Sequence, residues 1–504
     1  MLESLSLLIP VAVVLAGALA SLMAEPFLGR AGKHAWLPWA GVLTLVVAGI
    51  AQCQAGPGHL HGLFAMDQAR AWLCLAILTA AGCAMAGLQQ TLARDHHEGG
   101  EPYVLILTGT AGAMLMTMAA DALALFVALE LASLSIYVLV GLRRQRAESC
   151  EALFKYLVMG AVFSAVFLYG MALSYGATGG TRFGLAALAG REQLWLLGHA
   201  LMVVALLFKV GVVPFHAWSP DAYTGAPAAI TGFMGAVIKV GGFAALGALW
   251  LSMVSVAGGA PVTVPVALDA PVALTVEAAA RLRPFGTLFL VLGLLSIVLG
   301  NFAALRQTSA RRLVAYSSIA HAGYMLLALV PPLATGAVMQ VDLGSLWLYA
   351  LGYAIATAGA LSAIAALSGR DDLGDTLSGL AGQGRAQPLM GLVLTVFVAS
   401  FAGLPPTLGF LGKFQVFADL VAKDRLPIAL FALLMAVVGM AAYLRVLLAV
   451  WSAEPKAKAE TGPNALGSWA LAAAAIAVIA LCIMPNAVTG KGPAVVPVAK
   501  VSAY

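Results

Sequence analysis

Six charged side chains lie inside long apolar stretches of the sequence: the carboxylate of Glu130 and the bases Lys155, Lys209, Lys239, Lys413 and Arg445. At the centre of a lipid bilayer each such group would cost at least about 2.5–3.5 kcal/mol, so it needs water or a partner. One acid cannot neutralise several bases, and a buried lysine without an acid releases its proton more readily than one in water. This pattern predicts a pathway for protons or cations.

Two of these bases also fit a structural role. Lys155 lies four residues after Glu151 near a predicted helix end, and Arg445 lies within two turns of Trp451. Both side chains could extend to a membrane surface while their stems stay among apolar groups. The residues alone favour a structural role for Arg445 and leave Lys155 open between structure and function.

Two apolar stretches are interrupted by proline close to a lysine. Pro214 follows Lys209 by five residues, and Pro405 and Pro406 precede Lys413. Proline removes an amide donor and clashes with the preceding turn, which frees carbonyl groups that need water or protein partners. Paired broken helices are typical of transporters built from inverted repeats, with a site near the midplane.

His321 lies about nine residues inside an apolar stretch, where a histidine can be a packing residue or a proton carrier. Hydroxyl groups surround it in the sequence, at Tyr316, Ser317, Ser318 and Tyr324. These hydroxyls could support a hydrogen-bonded chain, which favours a relay role.

The composition indicates that membrane-spanning helices position these residues. The 504 residues are 62% hydrophobic and 10% charged, with a mean hydropathy of +0.96. Soluble domains are about 25% charged, so the sequence predicts a polytopic integral membrane protein. The net charge of +5 is too small and scattered to indicate nucleic acid, and the five cysteines form no CxxC or Cys/His cluster for a metal. No phosphate-binding or dinucleotide-binding motif is present.

Apolar segments long enough to cross a bilayer number about fourteen. They lie near 3–24, 35–54, 67–92, 102–120, 122–142, 150–175, 194–218, 226–253, 284–302, 312–330, 342–368, 387–422, 427–451 and 466–485. An even number places both termini on one side. Lys and Arg are more frequent in the loops of the opposite side, which predicts that both termini are external.

The charged segments resemble the antiporter-like subunits of respiratory complex I, the proton-translocating NADH:quinone oxidoreductase of bacteria. The resemblance rests on ALELASLSIYVLVGLRR, EALFKYLVMGAVFSAVFLYGMALSYGATG, KVGVVPFHAWSPDAYTGAPAAITGFMGAVIKVGGFAAL, RRLVAYSSIAHAGYML and FAGLPPTLGFLGKFQVF. It is continuous from about 101 to 425 and is greatest to the subunit N group of that family.

This resemblance implies an all-α membrane protein of about fourteen transmembrane helices. Helices 4–8 and 9–13 would form two inverted five-helix repeats, with helices 7 and 12 broken at Pro214 and at Pro405 and Pro406. By position, the family's proton-relay residues correspond to Glu130 on helix 5, Lys155 on helix 6, Lys209 on helix 7, Lys239 on helix 8, His321 on helix 10 and Lys413 on helix 12. The resemblance pairs Glu130 with Lys209 and moves Lys155 toward a functional role.

The chain then divides into five parts. They are helices 1–3 (1–100), the first repeat (101–253), an external proline-rich loop (254–283), the second repeat (284–452), and helix 14 with the tail (453–504). The loop is longer and richer in proline than expected for subunit N, which leaves its assembly contacts open.

The function that the resemblance implies is proton translocation coupled to quinone reduction elsewhere in the complex. This chain would hold no cofactor or metal, and FMN, iron–sulfur clusters and quinone would belong to partner subunits. Its partners would be the other membrane subunits, including related antiporter-like ones, in a bacterial plasma membrane. Three alternatives remain: a subunit of a multisubunit cation/proton antiporter, a membrane subunit of a hydrogenase or other dehydrogenase, and a scaffold with static buried charges.

Overall fold

The protein is almost entirely helical. The computed structural model describes residues 6–95, 97–259, 265–333, 338–369, 372, 374–452, 465–485 and 488. Its helices are α1 (Ile9–Ala24), α2 (Arg30–Gln54), α3 (Gln68–Arg94), α4 (Glu101–Met118), α5 (Ala122–Val140), α6 (Ala147–Thr178), α7 (Glu192–Val210), α8 (Trp218–Gly225), α9 (Ala228–Ala257), α10 (Val276–Leu305), α11 (Ala310–Ala328), α12 (Gly344–Leu367), α13 (Gln383–Ala386), α14 (Pro388–Ala402), α15 (Leu408–Ala422), α16 (Leu426–Val450) and α17 (Ala465–Ile483).

Helix length and composition confirm the all-α polytopic membrane fold. Within the described ranges, ten helices are long and apolar enough to cross a bilayer, and α14 and most of α17 are shorter apolar helices. The predicted segment 387–422 contains two helices, α14 and α15, whereas the predicted segment 194–218 contains most of α7 and ends where α8 begins. The count of about fourteen spans stays a prediction.

Helices α9 and α12 form the centre of the bundle. They pack against each other and against α3, and nearly every residue of both helices is buried. Small residues permit this close approach: a Cβ on Gly232 would lie 3.1 Å from the carbonyl oxygen of Ala358. The outer helices α2, α6 and α16 instead expose leucine, valine and aromatic side chains, as expected for surfaces that face lipid or other membrane subunits.

The two broken helices end in the same way. Gly211 after α7 and Gly403 after α14 have φ of 72° and 78°, a left-handed conformation that glycine adopts without strain. The amides of Gly211 and Val212 bond back to the last turn of α7, and those of Gly403 and Leu404 repeat the pattern on α14. Each glycine precedes a proline by three residues, Pro214 or Pro406. The predicted breaks are confirmed, while the division into two inverted repeats stays a prediction that this shared pattern supports.

Short strands close the face of the bundle that carries the predicted loop 254–283. The flanking helices α9 and α10 are longer than predicted, so the connection runs over 258–275, of which 260–264 lie outside the described residues. Strand β3 (Val272–Thr275) pairs antiparallel with β4 (Val338–Val341), while β1 (Gly58–Leu60) and β2 (Phe64–Met66) form a hairpin on the same face. Sequence patterns had indicated no strand in this loop. Of the predicted tail, nearly all of 486–504 lies outside the described residues.

Candidate functional site: a row of buried amines

Lys209 lies in the last turn of α7, immediately before the helix break, and is buried. Its Nζ donates to the Ser133 hydroxyl at 3.0 Å and to the Tyr137 hydroxyl at 3.3 Å, both on α5. The amine is therefore held by neutral oxygens at the C-terminal end of a half-helix. A cation is favoured there because the helix dipole is negative at that end.

Glu130 lies on α5, one turn before Ser133, and is partly exposed at the side of the bundle. Its Oε1 accepts a hydrogen bond of 2.5 Å from the Ser164 hydroxyl on α6. Within the described residues Glu130 and Lys209 form no direct ion pair. Ser133 instead lies on the Glu130 helix and binds the Lys209 amine.

Lys239 is buried in the middle of α9. Its Nζ donates to the carbonyl oxygen of Ser318 at 2.6 Å and to the Ser318 hydroxyl at 2.9 Å, and lies 5.8 Å from the centre of the Tyr353 ring. The same Nζ lies 4.0 Å from where a Cβ on Gly211 would be. The glycine of the first helix break therefore brings the Lys239 amine close to the backbone that follows Lys209.

His321 lies on α11, one turn after Ser318, and its two ring nitrogens contact two tyrosines. Nδ1 lies 2.7 Å from the Tyr349 hydroxyl and Nε2 lies 3.1 Å from the Tyr443 hydroxyl. The Tyr443 hydroxyl also lies 2.5 Å from Ser317 Oγ. Hydroxyls and imidazole nitrogens both donate and accept, so this cluster can pass a proton in either direction.

Lys413 lies on α15, the second half of the other broken helix. Its Nζ donates to the carbonyl oxygen of Phe401 at 2.6 Å and lies 5.6 Å from the centre of the Tyr324 ring. A Cβ on Gly403 would lie 3.5 Å from this nitrogen. The rings of Phe401 and Tyr324 also lie beside His321, so they connect the surroundings of His321 and Lys413.

Lys155 lies apart from this row. Its side chain is 44% exposed at the start of α6, where Nζ contacts Glu151 Oε1 at 2.6 Å and Asp221 Oδ2 at 2.8 Å. The structure therefore places it in an exposed ion cluster, and its role in proton transfer stays a prediction. Arg445 has the structural position expected from the sequence, because its guanidinium bonds the carbonyl oxygens of Leu305 and Gln307 at the end of α10.

Sequence reasoning missed several polar partners of these residues. Ser133 and Tyr137 follow Glu130 by three and seven residues, the spacing of one helix face, so their register could have been noticed. Tyr349, Tyr443 and Ser164 come from other helices, and no local pattern brings them to His321 or Glu130. In the described ranges, no group of three or more His, Cys, Asp and Glu residues could hold a metal ion.

Comparisons with known proteins identify the family of this chain. The sequence matches the family described as NADH:quinone oxidoreductase/Mrp antiporter, TM, over residues 119–264 and 249–439. NADH-quinone oxidoreductase subunit N of Trichlorobacter lovleyi is 35% identical over 454 residues, which cover 88% of this chain and 87% of that protein.

Solved structures show the same fold. A chain of respiratory complex I from Thermus thermophilus is similar with a TM-score of 0.75 and 32% identity, covering 96% of this chain and 99% of that one. A chain of the Mrp complex from Dietzia sp. is similar with a TM-score of 0.77, covering 97% of this chain and 96% of that one. Its identity of 19% shows the fold alone.

Proposed function

The chain belongs to the antiporter-like subunits of respiratory complex I, and from this premise we propose that it translocates protons as a membrane subunit of an NADH:quinone oxidoreductase. Its relatives named subunit N support membership in that complex. The path that protons would take is a further part of the proposal and rests on the geometry of this chain.

The row of buried amines carries the proposal. Lys209, Lys239 and Lys413 come from three different helices, and each amine contacts only neutral oxygens and rings among the described residues. A permanent structural charge in a protein interior is normally paired with an opposite charge. Amines held by hydroxyls and carbonyls can instead exist in both the charged and the neutral form, which proton transfer requires.

The contacts suggest an order for the relay. The Lys239 amine lies near Gly211, the glycine of the first helix break that follows Lys209 by two residues. Lys239 bonds Ser318, and His321 follows Ser318 by one helical turn. His321 and Lys413 share the rings of Phe401 and Tyr324. Protons would therefore move laterally from Lys209 through Lys239 and His321 to Lys413.

Glu130 would control the first step. Two unit charges about 4 Å apart interact by roughly 4 kcal/mol at an effective dielectric of 20. Because Ser133 and Ser164 now hold Lys209 and Glu130 separately, a shift of α5 or α6 could change the distance between the two charges. A change of this size in the interaction energy is large enough to decide whether the Lys209 amine keeps its proton.

The partly exposed side of the bundle at Glu130 indicates other membrane subunits as partners. An ionised carboxylate facing acyl chains is costly, so we expect protein to cover this side of α5 and α6. Related antiporter-like subunits fit that place. The electron chemistry, with FMN, iron–sulfur clusters and quinone, would belong to the partner subunits, in a bacterial plasma membrane with both termini external.

Purification of the full chain from native membranes through an affinity tag tests the proposal. We expect it to copurify with flavin-containing and iron–sulfur subunits and with NADH:quinone reductase activity. When the purified complex is placed in vesicles, NADH oxidation should drive proton movement that Lys209→Ala strongly reduces. Copurification with only cation-antiporter or hydrogenase subunits would overturn the assignment in favour of those alternatives.

A further inference from the structure

A cleft of about 480 Å³ opens on the side of the bundle, beside the N-terminal half of α10. Helix α10 forms one wall, the segment after α11 forms the other at Pro331–Leu333, and Arg425 lies before α16. A Cβ on Gly286 would lie 2.9 Å from Pro331, so this glycine allows the two walls to approach. Neither His321 nor any of the three buried lysines lines this cleft.

Two arginines with free donor groups line this cleft. Arg283 is exposed and has neither an ion-pair nor a hydrogen-bond partner among the described residues. Arg425 uses only its Nε, which donates to the carbonyl oxygen of Pro331 at 3.0 Å. Burial lowers the pKa of Arg425. A guanidinium carries five N–H donors, so the donors that remain on Arg283 and Arg425 are suited to an anion with several oxygens.

The surroundings identify the kind of anion. Thr287 adds a hydroxyl to the cleft, while Leu290 and Val276 make its lining apolar. Beyond the cleft, α10 exposes Val291 and Leu295, and α16 exposes leucines at 426, 430 and 433. A cationic cleft beside exposed apolar faces of two contacting helices matches a molecule with an anionic head and long hydrocarbon chains.

We propose that this cleft binds the phosphodiester headgroup of an anionic phospholipid, with Arg283 and Arg425 contacting the phosphate. The acyl chains would lie along the exposed faces of α10 and α16. Each Lys or Arg near a membrane surface contributes roughly 1 kcal/mol to the attraction of anionic lipid, which corresponds to about a fivefold preference. The site is independent of the proposed proton relay.

Photocrosslinking from inside the cleft tests this site in the complete complex. Leu290 is replaced by p-benzoylphenylalanine, the complex is placed in vesicles with equal amounts of phosphatidylglycerol and phosphatidylcholine, and the crosslinked products are identified by mass spectrometry. We expect about fivefold or greater preference for phosphatidylglycerol, and loss of that preference in Arg283→Gln/Arg425→Gln.

Arg281→Gln is the matched control, because Arg281 lies two residues away on α10, outside the cleft, and is paired with Glu277 at 3.9 Å. This control should keep the preference. Inorganic phosphate added to the vesicles should not displace the lipid; displacement would mean that the cleft selects free phosphate and would overturn the proposal. Equal crosslinking of the two lipids, or crosslinking to a neighbouring subunit in place of lipid, would also overturn it.

Discussion

The Lys413 amine donates a 2.6 Å hydrogen bond to the carbonyl oxygen of Phe401, the next-to-last residue of the half-helix α14. The second half of the broken helix therefore supplies a cation to the C-terminal end of the first half. In the other broken helix, Lys209 occupies the last turn of α7 itself. The two breaks thus place an amine at the same kind of helix end by different routes.

Gly403 should be essential for the position of Lys413. In Gly403→Ala, the new methyl group would lie 3.0 Å from Lys413 Cδ, and the backbone would keep a φ of 78° that costs a non-glycine residue about 1–2 kcal/mol. We expect a lower thermal unfolding midpoint and reduced NADH-driven proton uptake into vesicles, measured per assembled complex. Gly49→Ala is the control, since no atom lies within 4 Å of its added methyl group. Normal pumping by Gly403→Ala would show that Lys413 does not need this position.

Removing Glu130 or Lys209 should strongly reduce pumping while the complex still assembles, because each variant removes one of the two charges whose separation would control the first step. Ser133→Ala should cause a smaller loss, since Tyr137 still accepts from the Lys209 amine. Ser252→Ala is a suitable control because, in the part of the chain that the structure describes, this buried serine hydroxyl bonds only the Ala248 carbonyl of its own helix. Wild-type proton uptake by both Glu130→Ala and Lys209→Ala would exclude the assigned pair.

Tyr443→Phe tests the hydroxyl cluster around His321. The substitution keeps the ring that packs on Phe401 but removes the oxygen that contacts His321 and Ser317. A buried polar group left without its partner costs about 1–3 kcal/mol, so we expect moderate destabilisation together with slower proton uptake. Tyr175→Phe, at an exposed tyrosine, should change neither. If Tyr443→Phe is destabilised yet pumps normally per assembled complex, the cluster has only a structural role.

The sequence was sufficient to predict the long helices and the two helix breaks because these features are encoded locally. Long apolar runs indicated the helices, and proline near Lys209 and Lys413 indicated the breaks. The strand pairing of β3 with β4 was not foreseen, because it joins segments more than sixty residues apart and neither strand is long enough to show alternation. Local pattern also could not locate the exact ends of α9 and α10.

The sequence indicated the charged residues of the candidate site but not the side chains that contact them. A charged residue in an apolar stretch can be recognised from one sequence, because its burial in a membrane is costly whichever partner later compensates for it. The partners are different: Tyr443 reaches His321 from a helix 122 positions later, and nothing in the residues around it indicates that contact. Lys155 shows the opposite case. The sequence places it in an apolar stretch, but in the structure its side chain is exposed and forms an ion pair with Asp221.

Lys239 offers the sharpest distinction between a proton carrier and a structural charge. Lys239→Arg keeps a cation of similar length, but a guanidinium essentially never gives up its proton in a protein. A structural role should tolerate arginine apart from its wider planar head, because the carbonyl and hydroxyl of Ser318 can still accept hydrogen bonds. A relay role should not tolerate it, since the site could no longer pass a proton toward His321 and Lys413. We therefore expect Lys239→Arg to assemble normally and to pump about as poorly as Lys239→Ala, with NADH-driven proton uptake measured per assembled complex. Near-normal uptake by the arginine variant would make Lys239 a structural charge, and the centre of the relay would then require another residue.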